Sequence, residues 1–149
     1  MGTVFFYHLT QKPLEATLQV LLRKAVAAEW RVVVRGTNAK RLEWLDRQLW
    51  LGQEDEFLAH GLADGLHDSA QPILLTLDTE LPAVFSCLIS VDGAVVRPDE
   101  VIQLERVCIL FDGNAEDALT AARLQWKAFT AAGCTAQYWS EANGKWKKG

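Results

Sequence analysis

The sequence has no phosphate-binding loop. Neither GxxxxGK[ST] nor GxGxxG occurs. The segment after the first apolar run, HLTQKP, has no glycine to let a backbone approach a phosphate. The lone glycine of Gly36-Thr37-Asn38 is a weak signal for such a role. Cysteine is scarce: three residues, Cys87, Cys108 and Cys134, odd in number, widely spaced and without a CxxC. That excludes a disulfide framework and a cysteine-rich zinc site, and leaves buried reduced thiols as the expectation. There are only three histidines. His60 and His67 share a loop-like stretch with Asp64 and Asp68, but no helical spacing fixes them and no cysteine is near, so no metal site is expected. No GxSxG is present, and the acids Glu54, Asp55 and Glu56 read as a solvated face rather than an acid/base pair. No cofactor is implied.

Charge and hydropathy exclude more. The net charge of −4 is not that of a general duplex-DNA binder, which presents a strongly basic face, although a local basic patch remains open. Arg, Lys, Asp or Gly interrupts every apolar run before it reaches the length of a membrane span. No basic region followed by an apolar stretch and a small-residue cleavage site opens the chain, so a cytoplasmic protein is expected.

What is present is an ordinary globular composition, half apolar and 23% charged, over 149 residues. One domain spanning 1–149 is expected. VFFYHL at 4–9 and RVVVR at 31–35 read as strands buried on both faces. Between them Leu14, Leu18, Leu21, Leu22 and Ala25 recur at helical spacing, with Thr10 and Pro13 at the start, in a helix ending near Glu29. A second helix, capped by Thr37 or Asn38, buries Leu42, Leu45 and Leu49 and turns Trp44 outward. This βαβα pattern predicts a Rossmann-like three-layer α/β domain with a largely parallel central sheet and no nucleotide-binding loop.

From 51 to 71 the periodicity loosens into a predicted surface loop. Trp50, Phe57, Leu58, His60 and Leu62 sit in or beside it, as plugs into the core or as an interaction patch. Strands follow at 72–77 and 84–91, the second closed by Asp92-Gly93, then a short helix or turn at 97–104 opened by Pro98-Asp99. A fifth strand is expected at 105–111. The last long helix, capped by Asn114, carries Glu116 and Asp117 in its first turn and stops at Gly133. QYWS at 137–140 and GKWK at 144–147 flank a turn and suit a terminal hairpin.

The last helix holds the clearest binding chemistry. Leu119, Ala122, Trp126 and Phe129 form one apolar face, and Arg123 and Lys127, four apart, flank it. Two readings fit: a core tryptophan whose edge is covered by two amphipathic side chains, or a pocket with an aromatic wall and two cations for carboxylates. Lys145, Lys147 and Lys148 add a basic tail to an otherwise acidic chain. A small cationic patch of this kind suits an acidic peptide better than duplex DNA.

Several segments in order are similar to the chi subunit of bacterial DNA polymerase III: FFYHL, the LW-x6-F-L-x-H-G pattern at 49–61, QPILLTL, ERVCILFDGN, ARLQWKAFTAAG and YWSEANGKWKK. They cover most of the chain. The resemblance implies a non-catalytic clamp-loader accessory subunit that binds the acidic, phenylalanine-ended C-terminal tail of the single-stranded-DNA-binding protein. DNA itself would be met only indirectly. The positions matching that tail site are Arg123, Trp126, Lys127 and Lys147. One further basic position of the family pattern is Leu119 here, which leaves Lys145 or Lys148 to supply the charge. The resemblance also implies an interface for the psi subunit, or for an accessory helicase, at Trp50, Phe57, Leu58 and His60. Two alternatives stand beside this reading: an adaptor of a DNA repair helicase, and a small-molecule or nucleotide enzyme with a deep pocket at the strand ends.

Overall fold

The computed structural model describes residues 3–9, 14–51, 60–62, 73–77, 85–142 and 145–148, with side chains described for all of these except 50–51, 60–62, 141–142 and 145–148. The elements in chain order are β1 (Thr3–Leu9), α1 (Leu14–Ala27), β2 (Val32–Arg35), α2 (Ala39–Leu51), β3 (His60–Leu62), β4 (Ile73–Thr76), β5 (Cys87–Ser90), α3 (Pro98–Gln103), β6 (Arg106–Asp112), α4 (Glu116–Ala131), β7 (Thr135–Ala142) and β8 (Lys145–Lys148). They build one sheet in the order β3-β4-β2-β5-β6-β1-β7-β8. All pairings are parallel except β7 with β8. The α/β, largely parallel, three-layer architecture expected from the sequence is therefore the one found.

Alternation along the strands fills both faces of the sheet, as parallel sheets require. Tyr7, Leu9, Val32, Val34, Ile73, Leu75, Cys87, Ile89, Cys108 and Leu110 meet α1 and α2 on one side. Val4, Phe6, Val33, Leu74, Leu88, Val107, Ile109 and Phe111 meet α3 and α4 on the other. Phe129 of α4 is wholly buried in the second cluster. Fully burying such a side chain contributes about 1.5–3 kcal/mol.

Several local expectations need correction. The stretch at 51–71 is not all loop: His60–Leu62 forms β3, which pairs with β4 as an edge strand. Alternation cannot be read from three residues, so the strand is invisible without its partner. α1 stops at Ala27, and Glu29 takes a left-handed φ of 63°. Trp44 is half-buried beneath the Arg41 guanidinium, 4.4 Å from the ring centroid. Asn38 does cap α2, its Oδ1 accepting the Arg41 N–H at 3.1 Å. Asn114 does not cap α4; the N-cap is Ala115, and the Asn114 N–H instead donates to Asp112 Oδ1 at 2.9 Å. The terminal hairpin forms, and β7 also pairs with β1, so the hairpin extends the main sheet. Thr10 and Pro13 lie outside the described residues.

Arg35, at the end of β2, is 1% exposed. Its guanidinium grips Glu100 of α3 through two parallel hydrogen bonds of 2.9 and 2.8 Å and donates a third to the Val95 carbonyl at 3.0 Å. Glu100 also accepts the Arg97 N–H at 3.1 Å, closing the first turn of α3. Burial alone would raise the Glu100 pKa, but the Arg35 and Arg97 hydrogen bonds outweigh it and hold the carboxyl below its ordinary value. The pair fixes α3 to the sheet. The segment just before α3 then reaches α4, where Gln125 Oε1 accepts the Val96 N–H at 3.3 Å. Among the described residues, no helix is long and apolar enough to cross a membrane.

Candidate functional site

α4 crosses the sheet over β6 and β1 and leaves a groove on its β7 side. The groove encloses about 290 Å³ and is lined by Phe6, His8, Phe111, Leu119, Ala122, Arg123, Trp126, Lys127 and Tyr138. Helical spacing puts Leu119, Arg123, Trp126 and Lys127 along one flank. Parallel pairing supplies the floor: Phe6 sits opposite Tyr138 in the β1–β7 register, and His8 opposite Phe111 in the β1–β6 register.

The walls are aromatic. Phe6 meets Trp126 edge-on with centroids 5.2 Å apart, Phe129 at 6.0 Å and Phe111 at 6.5 Å. Trp126 is only half-buried: one part packs into the core and the rest borders the groove. Arg123 and Lys127 are exposed at the rim. Trp126 belongs to the edge of the core, and the cations stand beside an open apolar groove rather than closing it.

The floor is polar at one end. The His8 ring stacks on Phe111, centroids 5.1 Å apart and planes 27° from parallel, and its Nδ1 shares a hydrogen bond with the Tyr138 hydroxyl. Burial raises the Tyr138 pKa, with Arg123 opposing the shift. Gly113 makes room for this arrangement. A Cβ there would overlap the His8 ring and lie 2.9 Å from the Leu9 carbonyl, to which the Gly113 N–H already donates at 2.6 Å.

Of the residues singled out from the sequence, Arg123, Trp126 and Lys127 come together in this groove. Leu119 adds an apolar wall. Lys147 lies on β8, its backbone in register with Ser140 of β7, beside the strand that carries Tyr138; its side chain is outside the described residues. Sequence reasoning missed Phe6, His8, Phe111 and Tyr138. The signal available was faint: Phe6 and His8 share one face of a two-residue alternation, and Tyr138 alternates with Trp139. In the second set, Trp50 lies in the last turn of α2, His60 opens β3, and Phe57 and Leu58 lie outside the described residues. β3 is the far edge of the sheet, six strands from β7, or about 29 Å at ~4.8 Å per strand.

A larger crevice of about 800 Å³ opens at the C-terminal ends of the strands. It lies where the fold switches sides: β1 and β6 are neighbours, but the helix after β1 packs on one face and the helix after β6 on the other. This is the usual ligand position in open α/β sheets. Among the described residues it is lined by Glu15, Asp92, Asp112 and Asp117, against one cation, Arg41, which is paired with Asp92 at 3.1 Å. Carboxylates in the first turns of both α1 and α4 oppose a phosphate there. No group of three or more metal-ligating side chains occurs among the described residues.

Compared with known families, the chain matches the model for the DNA polymerase III chi subunit, HolC, over residues 1–137. The chain belongs to the DNA polymerase III chi subunit family. Its role is thereby that of an accessory component of replication. Arg123, Trp126 and Lys127 fall within the matched segment, as do Phe6, His8 and Phe111 of the floor, whereas Tyr138, β8 and its lysines lie beyond it. No curated protein matches the chain.

Proposed function

We propose that the groove beside α4 binds the acidic C-terminal tail of the single-stranded-DNA-binding protein, and that the chain thereby links the clamp loader to coated single-stranded DNA without catalysis of its own. The observation that carries this reading is the pairing of an apolar, aromatic-walled groove with two exposed cations on its rim. A terminal aromatic side chain fits against Trp126 and Phe6. Arg123 and Lys127 reach carboxylates on either side of it by charge-assisted hydrogen bonds. Few contacts are available, so affinity is expected at about micromolar Kd, falling steeply with salt. The acidic crevice supports the same conclusion from the other side, since its charge opposes the nucleotide-enzyme alternative.

The second surface, around Trp50, Phe57, Leu58 and His60, is assigned to the psi subunit or to an accessory helicase. Its distance along the sheet lets both partners be held at once. Titrating an aspartate-rich peptide with a free C-terminal phenylalanine tests the groove. Arg123→Ala and Lys127→Glu should each weaken binding about tenfold or more, and unchanged affinity in both removes the assignment. Co-purification from cell extract, with Phe57→Ala as control, tests the second surface.

A further inference from the structure

Charge pairing at the rim leaves the floor of the groove unused. His8 is held there on three sides: its face on Phe111, its edge against Gly113, and its Nδ1 on the Tyr138 hydroxyl. The direction of that last hydrogen bond depends on the tautomer and the proton count. In the neutral ring that carries its proton on Nε2, Nδ1 accepts, so Tyr138 donates its only hydroxyl proton to His8 and has none left for a ligand. When the imidazole is protonated, Nδ1–H donates to the tyrosine oxygen, and the tyrosine O–H is released to point into the groove.

We propose that the neutral His8 ring carries its proton on Nε2 and that His8 and Tyr138 form a proton-dependent carboxylate reader in the floor of the groove, so that an acidic, aromatic-ended peptide binds more tightly as the pH falls. The inference rests on the groove being the peptide site. Among the described side chains that line the groove, the charged and titratable groups beside His8 are Tyr138 from β7 and Arg123 and Lys127 from α4. Peptide carboxylates bound beside an imidazolium favour it, so binding and proton uptake favour each other by reciprocal linkage. Aspartate carboxylates stay ionised above about pH 5, so over the range in which histidines change charge the ligand itself does not titrate.

The test is the affinity of the same aspartate-rich, phenylalanine-ended peptide at about pH 8 and about pH 5.5, which bracket histidine titration. Wild type should tighten about fivefold, a modest coupling between linked sites. His8→Gln should bind equally at both values. Tyr138→Phe should keep less than half of the gain, because it keeps the imidazolium but loses the hydroxyl donor. His67→Gln should behave as wild type. Equal pH dependence in wild type and His8→Gln, or its loss in His67→Gln, overturns the proposal while leaving the groove as the peptide site. Absence of binding at both pH values overturns the groove assignment and this inference with it.

Discussion

Removing the carboxylate of Glu100 should be among the most damaging single changes to the fold. Arg35 and Glu100 are 1% and 4% exposed, and two hydrogen bonds of 2.9 and 2.8 Å join them. Glu100→Ala leaves a guanidinium in the interior without its carboxylate and also removes the acceptor for the Arg97 N–H. Breaking a buried pair from one side costs about 3–5 kcal/mol. At ~2–4 °C per kcal/mol for a chain of this size, the midpoint should fall by about 6–20 °C. Urea unfolding followed by tryptophan fluorescence measures the loss. The double variant Arg35→Met with Glu100→Leu should recover most of it, because an apolar pair avoids the desolvation cost. The pH dependence has a definite sign. The folded Glu100 carboxyl titrates below its ordinary 4.5, so its stabilisation is present above that pH and disappears as pH falls through the folded value. Wild type should therefore lose stability on acidification from pH 4.5 downward more steeply than the double variant does. A cost below about 1 kcal/mol for Glu100→Ala, the range of a surface ion pair, would refute the reasoning.

Three further outcomes follow from the same geometry. Gly113→Ala forces the His8 ring aside and should destabilise by about 1–3 kcal/mol while weakening the acidic peptide, measured by denaturation and titration together. Trp126→Ala opens the groove wall against Phe6 and should weaken the peptide about tenfold or more, as loss of a central aromatic anchor does. Burial pushes the Cys87 thiol up to about 12 and Cys108 well above its ordinary value, whereas Cys134 is half-buried near the surface. A thiol reagent at about pH 8 should therefore modify one cysteine quickly and the other two only on unfolding.

Most of the layer architecture was legible because it follows from local periodicity. VFFYHL, RVVVR, PILLTL and the apolar spacing of α1, α2 and α4 each announce an element without its neighbours. The rim of the groove was legible for the same reason, since Arg123, Trp126 and Lys127 lie within two turns of one helix. The floor was not. Phe6 and His8 meet Phe111 and Tyr138 only through the register of β1 with β6 and β7, between residues more than a hundred positions apart. Nothing local to His8 says that a tyrosine will face it. β3 was hidden because three residues carry no alternation. The buried Arg35 was hidden because an arginine ending a strand ordinarily reads as its exposed end, and its partner Glu100 comes from a helix 65 positions away.

The central claim is that one groove, and not the larger crevice or the far sheet edge, receives the acidic tail. Amide and side-chain chemical-shift mapping during titration with the aspartate-rich, phenylalanine-ended peptide tests it most directly. The account predicts shifts concentrated at Phe6, His8, Phe111, Arg123, Trp126, Lys127 and Tyr138. Shifts centred instead on Asp92, Asp112 and Asp117, or on Trp50 and His60, would contradict it.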